Sequence, residues 1–237
     1  MSSLLWRGLL AGLIAGVLAA VFSALAGEPP LERALQFEAA HASAPSGEEE
    51  TVSREVQRGA GLYAANTIFG MALGGMFSLV FALAYGRFGP SDPQTLSALL
   101  AALGFAALAL APELKYPANP PAVGTAETIG ARTAVYFAFL AISLLSMVLA
   151  ATLAPSLMAR LGPWKGAVLS AAIYILVTGA AAFALPPAAE VPEGFPAGVL
   201  WNFRMASLGA RAVLWAGTGL VFGALAGDWQ KRNLRRA

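Results

Sequence analysis

The sequence predicts an all-α, polytopic integral membrane protein with six transmembrane helices. Of its 237 residues, 58% are hydrophobic and only 12% are charged, whereas soluble domains carry about 25% charged residues. The apolar residues also fall into six stretches, each long enough to cross a hydrocarbon core of about 30 Å. The predicted spans are residues 4–26, 61–85, 95–111, 133–154, 166–185 and 205–227.

The spans carry very little charge. The second to fifth contain no Asp, Glu, Lys, Arg or His, and the first and sixth contain one arginine each, Arg7 and Arg211. The longest connecting segment is an acidic outer loop, 27–60, which is too short to be a folded domain. We therefore expect a single membrane domain over 1–237, which ends in a basic cytoplasmic tail, 228–237, suited to contact with anionic lipid.

The first span has two interpretations. Its end, Ala24-Leu25-Ala26, resembles a signal-peptidase site, and cleavage there would leave five spans. However, its apolar run of about 19 residues is longer than a usual signal core. Glycines at four-residue spacing, Gly8, Gly12 and Gly16, also form a ridge suited to close helix packing. We expect the helix to be retained.

The charges predict an orientation. With six spans, one side holds eight basic and two acidic residues, a net charge of +6. The other side holds seven basic and eleven acidic residues, a net charge of −4. The basic residues of the first side are Arg7, Arg87, Arg160, Lys165, Lys231, Arg232, Arg235 and Arg236. Because eight and seven basic residues differ little, the orientation rests on the basic tail, on Arg7 and on the short loops with Arg87, Arg160 and Lys165. These place both termini in the cytoplasm and an acidic face outside the cytoplasmic (inner) membrane.

The sequence also indicates three successive helical hairpins. Segments 128–132 (Thr-Ile-Gly-Ala-Arg) and 207–211 (Ser-Leu-Gly-Ala-Arg) each follow a proline-rich loop, and Arg58 opens a weaker copy. Repeats of this kind are common in transporters, where they flank the substrate path. Chance similarity between small-residue helices is the alternative.

Most enzyme sites are excluded. The chain has no cysteine, one histidine and no phosphate-binding loop of the G-x-x-x-x-G-K-[ST] type. Its two aspartates, Asp92 and Asp228, lie at predicted membrane edges. An enzyme is therefore not expected, nor is a resident cofactor. A net charge of only +2, concentrated in the tail, also argues against nucleic-acid binding.

Two regions have residues that suit a cation. In the acidic loop, Glu38 and His41 are three residues apart and could share a helix face, although a solvated acidic loop is the simpler interpretation. The second region is the proline-rich stretch 112–124, which we predict to be non-helical and stiff. Glu113 lies at its membrane boundary, where a charge is costly unless paired or functional. Interfacial anchoring by Lys115 and Tyr116 is the alternative.

The order of these features resembles the CbtA family. The resemblance covers nearly the whole chain and is most specific in the stretch 112–124, Pro-Glu-Leu-Lys-Tyr-Pro-Ala-Asn-Pro-Pro-Ala-Val-Gly. It is supported by the N-terminal Trp-Arg-Gly-Leu-Leu-Ala-Gly helix, the acidic loop with His41, Gly-Leu-Tyr at 61–63, the 128–132 segment and the basic tail. The family resemblance implies cobalt import for vitamin B12 synthesis, with CbtB, a small single-span protein with a histidine-rich end, as partner.

The resemblance leads to a specific hypothesis. Cobalt is the cargo of a permease subunit, and the histidine-rich partner supplies the capture ligands that this chain lacks. We assign the cation-uptake site to Glu113, Asn119 and Glu127, with Glu127 as the strongest candidate, and we assign accessory ligands to His41 and Glu38. Arg132 and Arg211 are expected to hold loops and carboxylates, because a fixed positive charge opposes cation binding.

Several alternatives stay open. The first outer loop has fewer histidines than in relatives, which weakens the case for metal binding there. The cargo could be another divalent metal, since nickel and copper outrank cobalt at most nitrogen and oxygen sites, or a small organic solute. The chain could also be a membrane scaffold that transports nothing.

Overall fold

The computed structural model describes residues 2–41, 52–187 and 191–234. All regular structure in these residues is helical, which confirms the predicted all-α class. The α-helices are α1 (Ser2–Phe22), α2 (Glu28–His41), α3 (Arg54–Val56), α4 (Leu62–Ala84), α5 (Pro93–Phe105), α6 (Ala111–Lys115), α7 (Ile129–Leu161), α8 (Pro163–Ala184) and α9 (Ala197–Leu234).

Six continuous helices in the described chain are long and apolar enough to cross a membrane, as predicted. The first three are each built from two α-helices joined by a π-helical segment. These segments are Ser23–Gly27 between α1 and α2, Gln57–Gly61 between α3 and α4, and Ala106–Leu110 between α5 and α6. The other three spans are α7, α8 and α9. The protein is therefore a multi-pass membrane protein.

The first span is longer than predicted. It continues as α2 to His41, where we expected a loop from residue 27 onward. Pro29 and Pro30 lie in the first turn of α2, where a missing backbone N–H is tolerated. The residues that follow are mostly Leu, Ala, Glu and Gln, which favour helix.

The third span also continues past its predicted end at residue 111. Residues 112–115, which we expected to belong to the non-helical proline-rich stretch, form most of α6. Pro112 lies at the start of α6 directly after a π-helical segment, so its missing N–H breaks no continuous ladder. The prediction holds for residues 117–125, which are not helical.

The sixth span begins earlier than predicted. The carbonyl oxygen of Pro196 accepts the backbone N–H groups of Val199 at 3.0 Å and Leu200 at 3.2 Å, so α9 starts at Ala197. As a result, Arg211 lies about four turns into α9, whereas Arg132 lies in the first turn of α7. The similar segments 128–132 and 207–211 therefore occupy different positions in their helices.

The glycine ridge of α1 packs directly on α4, as its spacing predicts. A Cβ atom added to Gly12 would overlap the carbonyl oxygen of Gly70, and one added to Gly70 would overlap that of Gly12. Gly8 and Gly74 face each other in the same way. This contact runs antiparallel, so the two backbones touch along most of their length.

The sixth span, α9, packs between α1 and α5. Its glycines face small residues: Gly217 meets Ala15, and Gly219 meets Ala101. The Ser97 hydroxyl donates to the Gly219 carbonyl oxygen at 2.7 Å. Helices α1, α4, α5 and α9 thus form one tightly packed group.

The α7–α8 hairpin lies beside this group and contacts it at a π-helical segment. The Ser143 hydroxyl donates to the Ala107 carbonyl oxygen at 2.8 Å, and the Tyr174 hydroxyl donates to that of Ala106 at 3.1 Å. A π turn disrupts the regular backbone ladder and leaves carbonyl groups to be paired by side chains. These hydroxyls fix the hairpin at that level of the membrane.

The antiparallel spans define two sides of the bundle. The tail side carries residue 3, the turn between α4 and α5, and the end of α9. The cap side carries α2, the loop 116–128 and residues 191–196. The candidate functional residues lie on the cap side.

Candidate functional site

The cap side carries a small apolar cluster beyond the predicted spans. Ala34 of α2, Val123 of the proline-rich loop and Phe195 before α9 are buried together. The Phe37 ring packs against the Phe195 ring, with centroids 4.9 Å apart. We call α2, the loop 116–128 and residues 191–204 the cap. This apolar cluster fixes the three segments of the cap relative to one another.

The proline-rich loop is tied to the end of α8. The Lys115 ammonium donates to the Leu185 carbonyl oxygen at 2.9 Å, and the Tyr116 hydroxyl donates to that of Pro186 at 2.8 Å. Burial raises the pKa of Tyr116, so its hydroxyl stays protonated and remains a donor. Lys115 and Tyr116 therefore anchor the loop to protein.

The turn of the same loop is held from two further directions. Glu38 accepts the Ala122 backbone N–H at 3.2 Å, where Ala122 has a positive φ of 68°. The Arg132 guanidinium donates to the Thr125 carbonyl oxygen at 2.9 Å. Gly124 lies against that guanidinium, so a Cβ there would overlap it. The expected loop-holding role of Arg132 is confirmed.

Glu113 is a buried carboxylate with free lone pairs. Its residue is 6% exposed, and neither carboxylate oxygen has a hydrogen-bond partner within the described chain. The backbone N–H of Ala118 also approaches the carboxylate. The Arg211 guanidinium provides an opposite charge, with Nη1 3.3 Å from Oε2, as expected for an arginine that holds a carboxylate. An acceptor left in this state is suited to bind a cation.

One face of α9 contacts both ends of the segment 113–119. Arg204 and Arg211 are seven residues apart, so they lie on the same face about two turns from each other. Arg204 donates to the Asn119 side-chain oxygen at 3.0 Å and to the Ala118 carbonyl oxygen at 3.4 Å. Arg211 contacts Glu113. Two guanidinium groups of one helix thus fix the loop and its buried carboxylate.

The three residues assigned to the uptake site are in different environments. Glu113 is buried, and the Asn119 side-chain oxygen already accepts a hydrogen bond from Arg204. Glu127 lies exposed in the short 3₁₀ turn Ala126–Thr128. Of the three, Glu113 combines burial with carboxylate oxygens that have no hydrogen-bond partner among the described residues.

The two accessory candidates lie on α2. One carboxylate oxygen of Glu38 is used by the Ala122 N–H. The His41 Nδ1 atom lies 2.9 Å from the Phe37 carbonyl oxygen, and its ring stacks on the Phe37 ring at 4.0 Å. The Nε2 atom is the ring nitrogen that points away from this backbone contact. Both residues lie on the exposed surface of the cap.

Within the described ranges, no three His, Asp or Glu side chains meet in an arrangement that could hold a metal ion. Two other acids of the predicted outer loop are paired with a base: Glu28 contacts the Arg54 guanidinium, and Glu32 lies 3.6 Å from it. Glu48, Glu49 and Glu50 lie outside the described residues. The described part of this chain thus presents single ligands rather than an assembled metal site.

The model of a family described as "Probable cobalt transporter subunit (CbtA)" matches residues 1–227. The chain belongs to the CbtA family. No curated protein and no solved structure matches it significantly. Membership of a family described in these words implies transport rather than catalysis.

Some functional contacts of this CbtA family member were not predicted. Arg204 was counted as a charge and not as a loop anchor, although its seven-residue spacing from Arg211 could have indicated a shared helix face. Asn66 donates to the Leu62 carbonyl oxygen of its own helix at 2.9 Å. The pairing of Tyr174 with a π-helical carbonyl leaves no signal in the sequence.

Proposed function

We propose that this CbtA family member is the permease subunit of a cobalt importer that supplies vitamin B12 synthesis. The match of the family model to residues 1–227 carries the proposal. Six spans supply the membrane-crossing framework such a subunit needs. Cobalt is the cargo in this proposal, and no resident cofactor is required.

The charges of the two sides support an orientation for import. In the six-span topology predicted from the sequence, eight basic and two acidic residues fall on the tail side, and seven basic and eleven acidic ones fall on the cap side. Positive charge favours the cytoplasm, so the proposal places the cap outside the cytoplasmic membrane and both termini inside. An acidic outer face would raise the local concentration of divalent cations.

Glu113 is proposed as the main cation ligand of this chain. Its carboxylate is buried and accepts no hydrogen bond from the described residues. Asn119 and Glu127 are proposed to complete the uptake site, and Glu38 and His41 to act as accessory ligands on the cap surface. Carboxylate, amide oxygen and imidazole donors suit a borderline divalent cation.

A second subunit is proposed to supply the missing ligands. The chain has one histidine and no cysteine, and its described residues contain no ready three-ligand group. A small, single-span, histidine-rich, CbtB-like protein would capture cobalt and pass it to Glu113. The word "subunit" in the family description supports a multi-part transporter.

Passage to the tail side requires movement. Phe77, Phe81 and Phe222 pack edge to face in the bundle, and the Phe222 centroid lies 5.4 Å from that of Phe77 and 5.0 Å from that of Phe81. These rings are almost fully buried. Because a desolvated divalent ion cannot cross such a layer, the proposal includes helix movement during transport.

Radiolabelled cobalt uptake tests this proposal. Cells stripped of other cobalt importers would express this chain alone, the small partner alone, or both together. The proposal predicts uptake when both are present and none with either alone. A tenfold excess of unlabelled cobalt, nickel, zinc or magnesium, added separately, would show which ion competes best with labelled cobalt.

Other results lead to other functions. Stronger competition by nickel than by unlabelled cobalt would assign the chain to another divalent metal. No uptake in any combination, with both proteins shown in the membrane, would contradict cobalt import and favour another solute or a non-transporting scaffold.

A further inference from the structure

Glu113 and Arg211 form a charge pair whose two members have unequal freedom. The side chain of Glu113 is 5% exposed, and that of Arg211 is 38% exposed. The guanidinium is therefore open on one side and has room to turn away, while the carboxylate is enclosed by protein. In this pair the Arg211 guanidinium can move away, whereas the Glu113 carboxylate stays in place.

The contact within the pair is ionic and not hydrogen-bonded. Arg211 Nη1 lies 3.3 Å from Glu113 Oε2, yet neither carboxylate oxygen has a hydrogen-bond partner among the described residues. A buried carboxylate is costly without an opposite charge. Arg211 therefore contributes charge neutralisation but no directed bond.

Arg204 provides a comparison on the same helix face. Its guanidinium makes two directed contacts, one to the Asn119 side-chain oxygen at 3.0 Å and one to the Ala118 carbonyl oxygen at 3.4 Å. Hydrogen bonds from a charged donor resist displacement better than a purely ionic contact of a partly exposed side chain does. Arg204 is thus built to hold the loop, and Arg211 to balance a charge.

We infer that Arg211 is an exchangeable counter-ion for Glu113, which neutralises the carboxylate when no cargo is bound and is displaced by an incoming divalent cation. The inference rests on the proposed function, because it takes Glu113 to be a cation ligand. Two opposed charges at the same distance attract more strongly when one is divalent. Return of the guanidinium would then favour release of the ion from the site.

Competition between Arg211 and the cargo has a measurable consequence. Arg211→Gln removes the competing charge and should tighten Co²⁺ binding roughly tenfold, the lower end of the coupling between close charge pairs. Arg211→Lys keeps the charge and should stay close to wild type. Arg204→Gln removes an arginine from the same helix face and should give no gain in affinity.

Equilibrium dialysis of the purified, detergent-solubilised full chain against radiolabelled Co²⁺ tests these expectations. A double variant, Glu113→Gln with Arg211→Gln, should lose the gain seen with Arg211→Gln alone. The inference is overturned if Arg211→Gln binds as wild type does, if the gain persists in the double variant, or if Arg204→Gln shows the same gain. Absence of Co²⁺ binding by every variant also overturns it.

A second measurement needs no variant and guards against misfolding of Arg211→Gln. Phenylglyoxal modifies accessible guanidinium groups, and mass spectrometry gives the extent at each arginine. In the unaltered protein, Co²⁺ should increase modification of Arg211 and leave that of Arg204 unchanged. Equal modification of Arg211 with and without Co²⁺ would contradict displacement.

The two tests separate this inference from the proposed function. If cells take up cobalt but Co²⁺ does not alter the modification of Arg211, the transport proposal stands and the counter-ion role is wrong. If Co²⁺ displaces Arg211 but no combination of subunits takes up cobalt, the counter-ion role stands and the proposal of cobalt import is wrong.

Discussion

Arg204 and Arg211 share one face of α9, yet their guanidinium groups meet different partners. Arg204 is hydrogen-bonded to loop oxygens, and Arg211 faces a carboxylate that has no hydrogen-bond donor in the described chain. Glu38 also differs from Glu113, because one of its oxygens is engaged by the Ala122 N–H. At the scale of residues, function depends on which acceptors are already paired and not on residue type alone.

Tyr116→Phe tests the anchoring of the proline-rich loop. The substitution removes the hydroxyl that donates to the Pro186 carbonyl oxygen at 2.8 Å and should lower the free energy of unfolding by about 1 kcal/mol. Thermal unfolding of the detergent-solubilised protein measures the effect. Tyr63→Phe, at an exposed tyrosine, is the control and should change little. If Tyr116→Phe and wild type unfold at the same temperature, this hydrogen bond does not stabilise the protein.

Among the helices, the length of each apolar stretch and the spacing of the glycines could be used for prediction from the sequence. Six uncharged or nearly uncharged stretches predicted six spans. The spacing of Gly8, Gly12 and Gly16 predicted a face for close helix packing, but it did not name α4 as the partner. The helix ends were less readable. Pro112 suggested a break, but it lies at the start of a helix that follows a π-helical segment. A π-helical segment is stabilised by tertiary contacts, so a single sequence gives no clear signal for it.

The α1–α4 contact predicts a sharp difference between two glycines. Gly12→Ala would push a methyl group into the Gly70 backbone and should cost about 1–3 kcal/mol by overpacking. Gly179→Ala, in α8 with nothing within 4 Å, should be neutral or stabilising by about 0.5 kcal/mol. Fluorescence-detected size-exclusion after a heating series compares them. If Gly12→Ala were as stable as Gly179→Ala, the close backbone contact would be wrong.

At the scale of the whole molecule, the charge imbalance between the two sides is the argument for orientation. The cap gathers acids from three segments that are far apart in the chain, and the sequence predicted this imbalance by counting alone. It could not predict that α2, the proline-rich loop and residues 191–204 form one packed unit, because the contacts of Val123 with Ala34 and Phe195 depend on the fold.

The natural absence of cysteine allows a direct test of orientation. Ser53→Cys places a single thiol at an exposed position on the cap side, and Ser91→Cys places one at an exposed position on the tail side. A membrane-impermeant maleimide should label Ser53→Cys in intact cells and Ser91→Cys only after permeabilisation. The reverse pattern would place the cap in the cytoplasm and contradict import through it.

Binding of the transported cation by Glu113 is best tested with Glu113→Gln in the two-subunit cobalt uptake assay. Uptake should fall roughly tenfold or more, since even outer partners of metal ligands are worth 10–100-fold in affinity. Glu127→Gln should reduce uptake less, and the exposed cap-side control Glu55→Gln should leave it unchanged. Uptake by Glu113→Gln equal to wild type, at equal protein level in the membrane, would contradict the account.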